Sequence, residues 1–152
     1  MASAPTQLEP RQLVVFSLGE EEYALPITQV QEIIRYTEPT GVTSRTPWIR
    51  GVISLRGKIV PVCDLGSRLG VASEPVSQAK IVIVETDAGT AGVVVDEVEE
   101  VLTVEGEQIE SAPAAGADFI EAIAKVGDRL IILLEPDGMF AGGQFDGARI
   151  AA

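Results

Sequence analysis

The sequence predicts an all-β protein built as two small, related barrels, and three observations carry that expectation. Short apolar runs of strand composition recur along the chain: QLVVFSL, KIVPV, KIVIVE, GVVVDEV and RLIILLE. Few windows hold a helical apolar period for more than two turns, so the crossover helices that a parallel α/β sheet needs are not found. The chain also repeats itself. A shift of 68 positions lays Gln12–Phe16 onto Lys80–Val84, Leu25–Ile27 onto Val93–Val95, and Val30, Glu32 and Ile33 onto Val98, Glu100 and Val101. Farther on the offset grows, and GKIVPVCDL faces GDRLIILLE with Gly57 against Gly127. One match between apolar strands is weak evidence, but an ordered series of strand, turn, strand, Val-x-Glu and Gly-strand matches is the mark of a duplicated unit.

Taken in order, residues 1–11 read as a flexible polar leader. Strands follow over 12–18 and 22–27, separated by a Gly/Glu-rich hairpin turn. Residues 28–34 read as a short helical turn, with Thr28 as N-cap and Gln31 completing a weak capping box. Further strands are expected over 50–55, 58–63, 80–85, 91–95, 99–104, 122–126 and 129–134. Pro39, Pro47, Pro75, Pro113 and Pro136 punctuate the chain near element ends. Short strands joined in this way favour closed or partly closed barrels, which protect their edges from aggregation. The expected division is one domain over 12–140, with halves of about 12–76 and 77–140 that can exchange strands, and a tail over 141–152.

A chain of 152 residues can bury one ordinary core or two small ones sharing a boundary. Its hydrophobic content of 46% argues against disorder throughout. The net charge of -12 disfavours unspecific binding to phosphate backbones or anionic lipid, and a nucleic-acid groove would have to be assembled against an acidic background. Without a secretory signal or a long apolar span, the expected location is the cytoplasm. The single cysteine, Cys63, cannot form an internal disulfide and reads as a buried strand thiol.

Catalytic chemistry finds little support. The absence of histidine removes the commonest general base and metal ligand near neutral pH. Asp96, Glu97, Glu99 and Glu100 could offer oxygen ligands, but DEVEE is not a calcium-loop pattern and reads as a solvated charged segment. The Gly-rich stretches at 89–92 and 138–143 lack a phosphate-loop context. No enzyme, cofactor or metal is expected. The stretch ISLRGKIVPV is more informative, because Arg56-Gly57-Lys58 interrupts two apolar strand edges. It fits a hairpin tip with a solvated arginine. The alternative is a recognition contact, in which the planar guanidinium of Arg56 meets carboxylates or backbone carbonyls of a partner.

The segments EEYALPITQVQEII, TPWIRGVISLRGKIVPVCDL, AGVVVDEVEEVLTV and VGDRLIILLE resemble the chemotaxis coupling protein family, CheW, over about residues 12–140. That resemblance implies two intertwined, five-stranded, SH3-like β-barrels around a shared core and no catalytic activity. It further implies an adaptor that bridges the cytoplasmic tip of a chemoreceptor to the regulatory domain of the histidine kinase CheA, at membrane-associated receptor arrays. Val30, Glu32, Gly51 and Arg56 match positions that the family associates with receptor coupling or kinase activation, and Gly57 is the motif glycine beside the arginine. Glu32 also fits a solvated charge, and Val30 a core residue. The chain departs from the family pattern in having Ser54 where Asn is usual, Ala122 where Gly is frequent, and a short connection from Pro113 to Phe119. Two other non-enzymatic readings remain open: a coupling protein serving another motility system, and a scaffold that binds no receptor.

Overall fold

A computed structural model describes residues 10–41, 49–69, 79–111 and 119–141. Most of the leader and tail, and Pro47, Pro75 and Pro113 with the connection that follows, lie outside the described residues. Strands β1 (Arg11–Leu18) and β2 (Glu21–Pro26) form a hairpin, and a 3-10 turn (Ile27–Gln29) leads into β3 (Val30–Arg35). A second hairpin, β4 (Ile49–Leu55) and β5 (Lys58–Asp64), runs into the short helix α1 (Leu65–Leu69). The other half repeats this plan with β6 (Lys80–Thr86), β7 (Gly89–Val95), β8 (Glu97–Val104), a 3-10 turn (Gly106–Gln108), β9 (Ile109–Ser111), β10 (Ile120–Val126), β11 (Arg129–Leu134) and α2 (Pro136–Ala141). Among the described residues no helix is long and apolar enough to cross a membrane.

The helical turn expected over 28–34 is a strand for most of its length. Only Ile27–Gln29 is helical; Pro26, not Thr28, stands at its N-cap, and no side chain caps it. From Val30 onward the residues alternate between half-buried and exposed, and Glu32–Arg35 pair with Lys80–Ile83 of β6. Three β-branched residues in six already favour an extended chain, and pairing along β6 outweighs a weak capping signal. The short elements β9, α1 and α2 were not expected from the sequence.

Two sheets form the molecule, in the orders β8-β1-β2-β11-β10-β9 and β3-β6-β7-β5-β4. Each takes strands from both sides of residue 76. The two orders are the same plan: β3, β6, β7, β5 and β4 occupy the places of β8, β1, β2, β11 and β10. Central parallel pairs match as well, Val62–Asp64 beside Gly92–Val94 in one sheet and Ile131–Leu133 beside Glu22–Ala24 in the other. The first hairpin of each half thus sits in the sheet completed by the other half. In the six-stranded sheet, β9 adds a short extra strand along β10.

This exchange explains the continuous apolar runs. Along β6, Ile81 and Ile83 enter the core of the five-stranded sheet with Ile53, Val60, Val62 and Val94. Val82 and Val84, pointing the opposite way, join Phe16, Leu25, Leu65 and Leu134 in a core shared between the sheets. Along β11, Ile131 and Leu133 face the core of the six-stranded sheet with Leu13 and Val15, while Leu134 faces the shared core. A strand buried on both faces has no polar side to show in its sequence. Cys63 is buried in the shared core.

Candidate protein-interaction surface

The stretch ISLRGKIVPV forms the β4–β5 hairpin. Leu55 pairs with Lys58, so Arg56 and Gly57 alone make the turn. Their φ angles are 54° and 84°. Positive φ at both central residues is the tight-hairpin geometry whose twist matches the flanking strands. Glycine is at home there; an arginine in the left-handed region costs about 1 kcal/mol. A Cβ on Gly57 would meet nothing within 4 Å, so conformation, not room, requires that glycine.

The strained turn aims Arg56 at Glu32 on β3. Its Nη2 donates to Glu32 Oε1 at 2.9 Å, and its Nη1 donates to Oε2 of the same carboxylate. Because β3 and β4 are the two edges of their sheet, this two-bond contact ties the open edges together. The Arg56 side chain remains 73% exposed while Glu32 is 24% exposed, so the guanidinium keeps a free outer face above a partly sheltered carboxylate. Such a face offers planar donors to an acidic group or a carbonyl of another molecule.

Gly51 lies on the same hairpin, at a bulge in the β4–β5 register between Ile49 and Gly51. The backbone of Thr40 crosses β4 there: Thr40 N–H donates to Val52 O at 2.8 Å, and Val52 N–H to Thr40 O at 2.9 Å. A Cβ built on Gly51 would stand 2.2 Å from Thr40 O. Val30 differs from the other candidates, being half-buried and packed against the shared core. The structure thus brings Glu32, Arg56 and Gly57 into one place, sets Gly51 farther along the same strand, and gives Val30 a core contact.

A second ion-pair centre went unnoticed in the sequence. Arg129, which opens β11, donates through Nε and Nη2 to Glu22 at 3.0 and 3.1 Å, and its Nη2 also lies 2.9 Å from Glu100 Oε2. Hydrogen bonds to Glu22, then to Glu100, hold its guanidinium above the ordinary arginine pKa. By sheet position, Glu100 on β8 is the counterpart of Glu32 on β3. The exposed large apolar residues fall into the same relation: Ile33 on β3 with Val101 on β8, and Ile59 on β5 with Leu130 on β11. The Val-x-Glu echo pointed to Glu100. Its arginine was hidden because it occupies a later position of the hairpin than Arg56.

Comparison with known proteins agrees with this architecture. The family model described as a CheW-like domain matches residues 12–144. The chain is similar to the chemotaxis protein CheW of Rhizobium meliloti (strain 1021), with 33% identity over 135 residues, covering 86% of this chain and 87% of that protein. Against the chemotaxis protein CheW of Bacillus subtilis (strain 168), identity is 36% over 132 residues, covering 84% and 85%. Among solved structures, the scaffolding protein TtCheW from Thermoanaerobacter tengcongensis superposes with a TM-score of 0.81 at 38% identity, covering 86% of this chain and 92% of that one.

Proposed function

The chain belongs to the CheW-like domain family, and from that premise we propose that it is a non-catalytic chemotaxis adaptor. It couples the cytoplasmic tips of chemoreceptors to the regulatory domain of the histidine kinase CheA and supports the signalling array. It acts in the cytoplasm, at membrane-associated receptor clusters. No reaction is carried out on this chain; receptor state is passed on by binding and geometry, and catalysis stays on the kinase.

The observation that carries the reading at residue level is the Arg56–Glu32 pair. It places a largely exposed guanidinium at a rigid hairpin tip within the segment most characteristic of the family. A rim charge held by its own backbone and by a neighbouring carboxylate loses little freedom on binding and fixes the register of what docks beside it. Glu32 and Gly57 set its position, Gly51 lies farther along the same hairpin, and Val30 supports β3 from the core side. The exposed Ile33 and Ile59 supply apolar area on the same barrel.

A titration of the chain with a matched receptor signalling fragment tests this role. Arg56→Ala is expected to weaken binding by at least tenfold while the thermal transition and β-sheet spectrum persist. Unchanged affinity in a folded variant would remove Arg56 from the interface.

A further inference from the structure

Two halves that share one sheet plan allow each position to be compared with its counterpart. The registers of the hairpins β4–β5 and β10–β11 align at an offset of 71, because the pair Leu55–Lys58 answers the pair Val126–Arg129. Gly51 therefore corresponds to Ala122. Both sit at a register shift in the first strand of their hairpin, after Ile49 and after Ile120. Both strands also receive a segment along the outer edge. Ala122 pairs with Ser111, and β9 continues as a regular ladder through Glu110 and Ile109. On the other barrel the incoming chain makes a single bridge, Thr40 to Val52, pressed where a side chain on Gly51 would stand.

The fold itself thus accommodates a Cβ at this position, as Ala122 demonstrates. What Gly51 permits is local. It lets the Thr40 end of the 36–41 segment close tightly onto β4, while at the other end Tyr36 N–H donates to Ala79 O, beside β6, at 3.1 Å. Pro39, buried between them, offers no N–H to extend the ladder. The segment is therefore fixed at two points, at Ala79 beside β6 and at Val52 on β4, the strand that leads into the Arg56 turn, and Thr37, Glu38 and Thr40 are exposed on it.

We propose that Gly51 is a positioning residue: it acts in receptor coupling through the Thr40–Val52 bridge, which holds the 36–41 segment as part of the docking surface, and not by touching the receptor. This rests on the adaptor reading above and adds to it an element, residues 36–41, and a mechanism for the glycine. A side chain at position 51 would push the Thr40 carbonyl away and release the segment from β4.

The test compares the whole chain with Gly51→Ala and Thr40→Pro in binding a matched receptor signalling fragment, with amide hydrogen exchange and the far-ultraviolet spectrum recorded for each. Thr40→Pro removes one donor of the bridge and leaves Gly51 untouched. Both variants are expected to keep the β spectrum, to exchange the Val52 amide at least tenfold faster, and to bind the fragment at least tenfold more weakly. Loss of binding in Gly51→Ala with full binding in Thr40→Pro would mean that Gly51 meets the receptor directly, and would overturn the inference. So would unchanged affinity in both variants. If either variant loses its fold, the native chain decides: the Thr40 and Val52 amides should gain protection when the fragment binds, and unaltered protection contradicts the proposal. Failure of the native chain to bind its matched fragment would instead sink the adaptor reading, and this inference with it.

Discussion

Arg56 holds a backbone conformation that an L residue resists, and the reason lies in what its side chain reaches. The cost of the left-handed turn, about 1 kcal/mol, is comparable with the stabilisation that an exposed ion pair supplies. Arg56→Gly should therefore change unfolding free energy by no more than about 1 kcal/mol, since relief of the turn offsets the lost contact. A double-mutant cycle on Glu32 and Arg56, read by urea denaturation, is expected to give a coupling of roughly 0.5–1 kcal/mol. The tyrosines set a second residue-scale expectation. Burial, then the Glu21 charge, raises the Tyr23 pKa, and burial, then the Glu38 charge, raises that of Tyr36. A phenol harder to ionise in the folded state leaves stability intact below the ordinary value of 10.0 and erodes it as pH climbs through the folded pKa, because the unfolded chain loses its protons first. The urea midpoint should fall between pH 9 and pH 11, and less steeply in Tyr23→Phe. An equal fall in that variant would show that Tyr23 is not a source.

Among elements, packing between β6 and β7 shows how tightly the barrel is drawn. A Cβ on Gly92 would lie 2.7 Å from Ile81 Cγ2, inside the core of the five-stranded sheet. Gly92→Ala should destabilise the chain by about 1–3 kcal/mol through overpacking, and Ile81→Ala, itself costly as a buried truncation, should cost less in the Gly92→Ala background than in the native chain because the obstructing atom is removed. Strictly additive costs would mean that backbone displacement, not the side-chain clash, sets the loss. The strands were legible for a related reason: segments such as KIVIVE and RLIILL must be apolar on both faces to fill two cores. β3 was misread because its residues alternate between half-buried and exposed at a sheet edge, and Thr28 with Gln31 resembles a weak capping box. The short strand β9 has too few residues to carry a period, and its pairing to β10 depends on a neighbour distant in the chain. Glu32 and Arg56 were each visible as charges in sequence. Their contact across the sheet edges was not, because it depends on closure of the whole barrel.

For the molecule as a whole, the repeat seen in sequence has a topological meaning: each half supplies the other with its first hairpin, and the shared core joins Phe16 and Leu25 to Val82, Val84 and Leu134. Two barrels locked together in this way hold their surfaces at a fixed spacing, which is what a coupling protein requires of its body. Both barrels carry an arginine–carboxylate contact and a pair of exposed apolar residues, built from different hairpin positions. The two faces are thus related in plan and distinct in chemistry, suited to contacts that are not interchangeable. Sedimentation velocity on the folded chain with a matched receptor signalling fragment and the matched CheA regulatory domain, as pairs and then together, tests the central claim most directly. A ternary species heavier than either pair is expected, and Arg56→Ala should reduce its formation. Folded, matched components that sediment independently would contradict that claim.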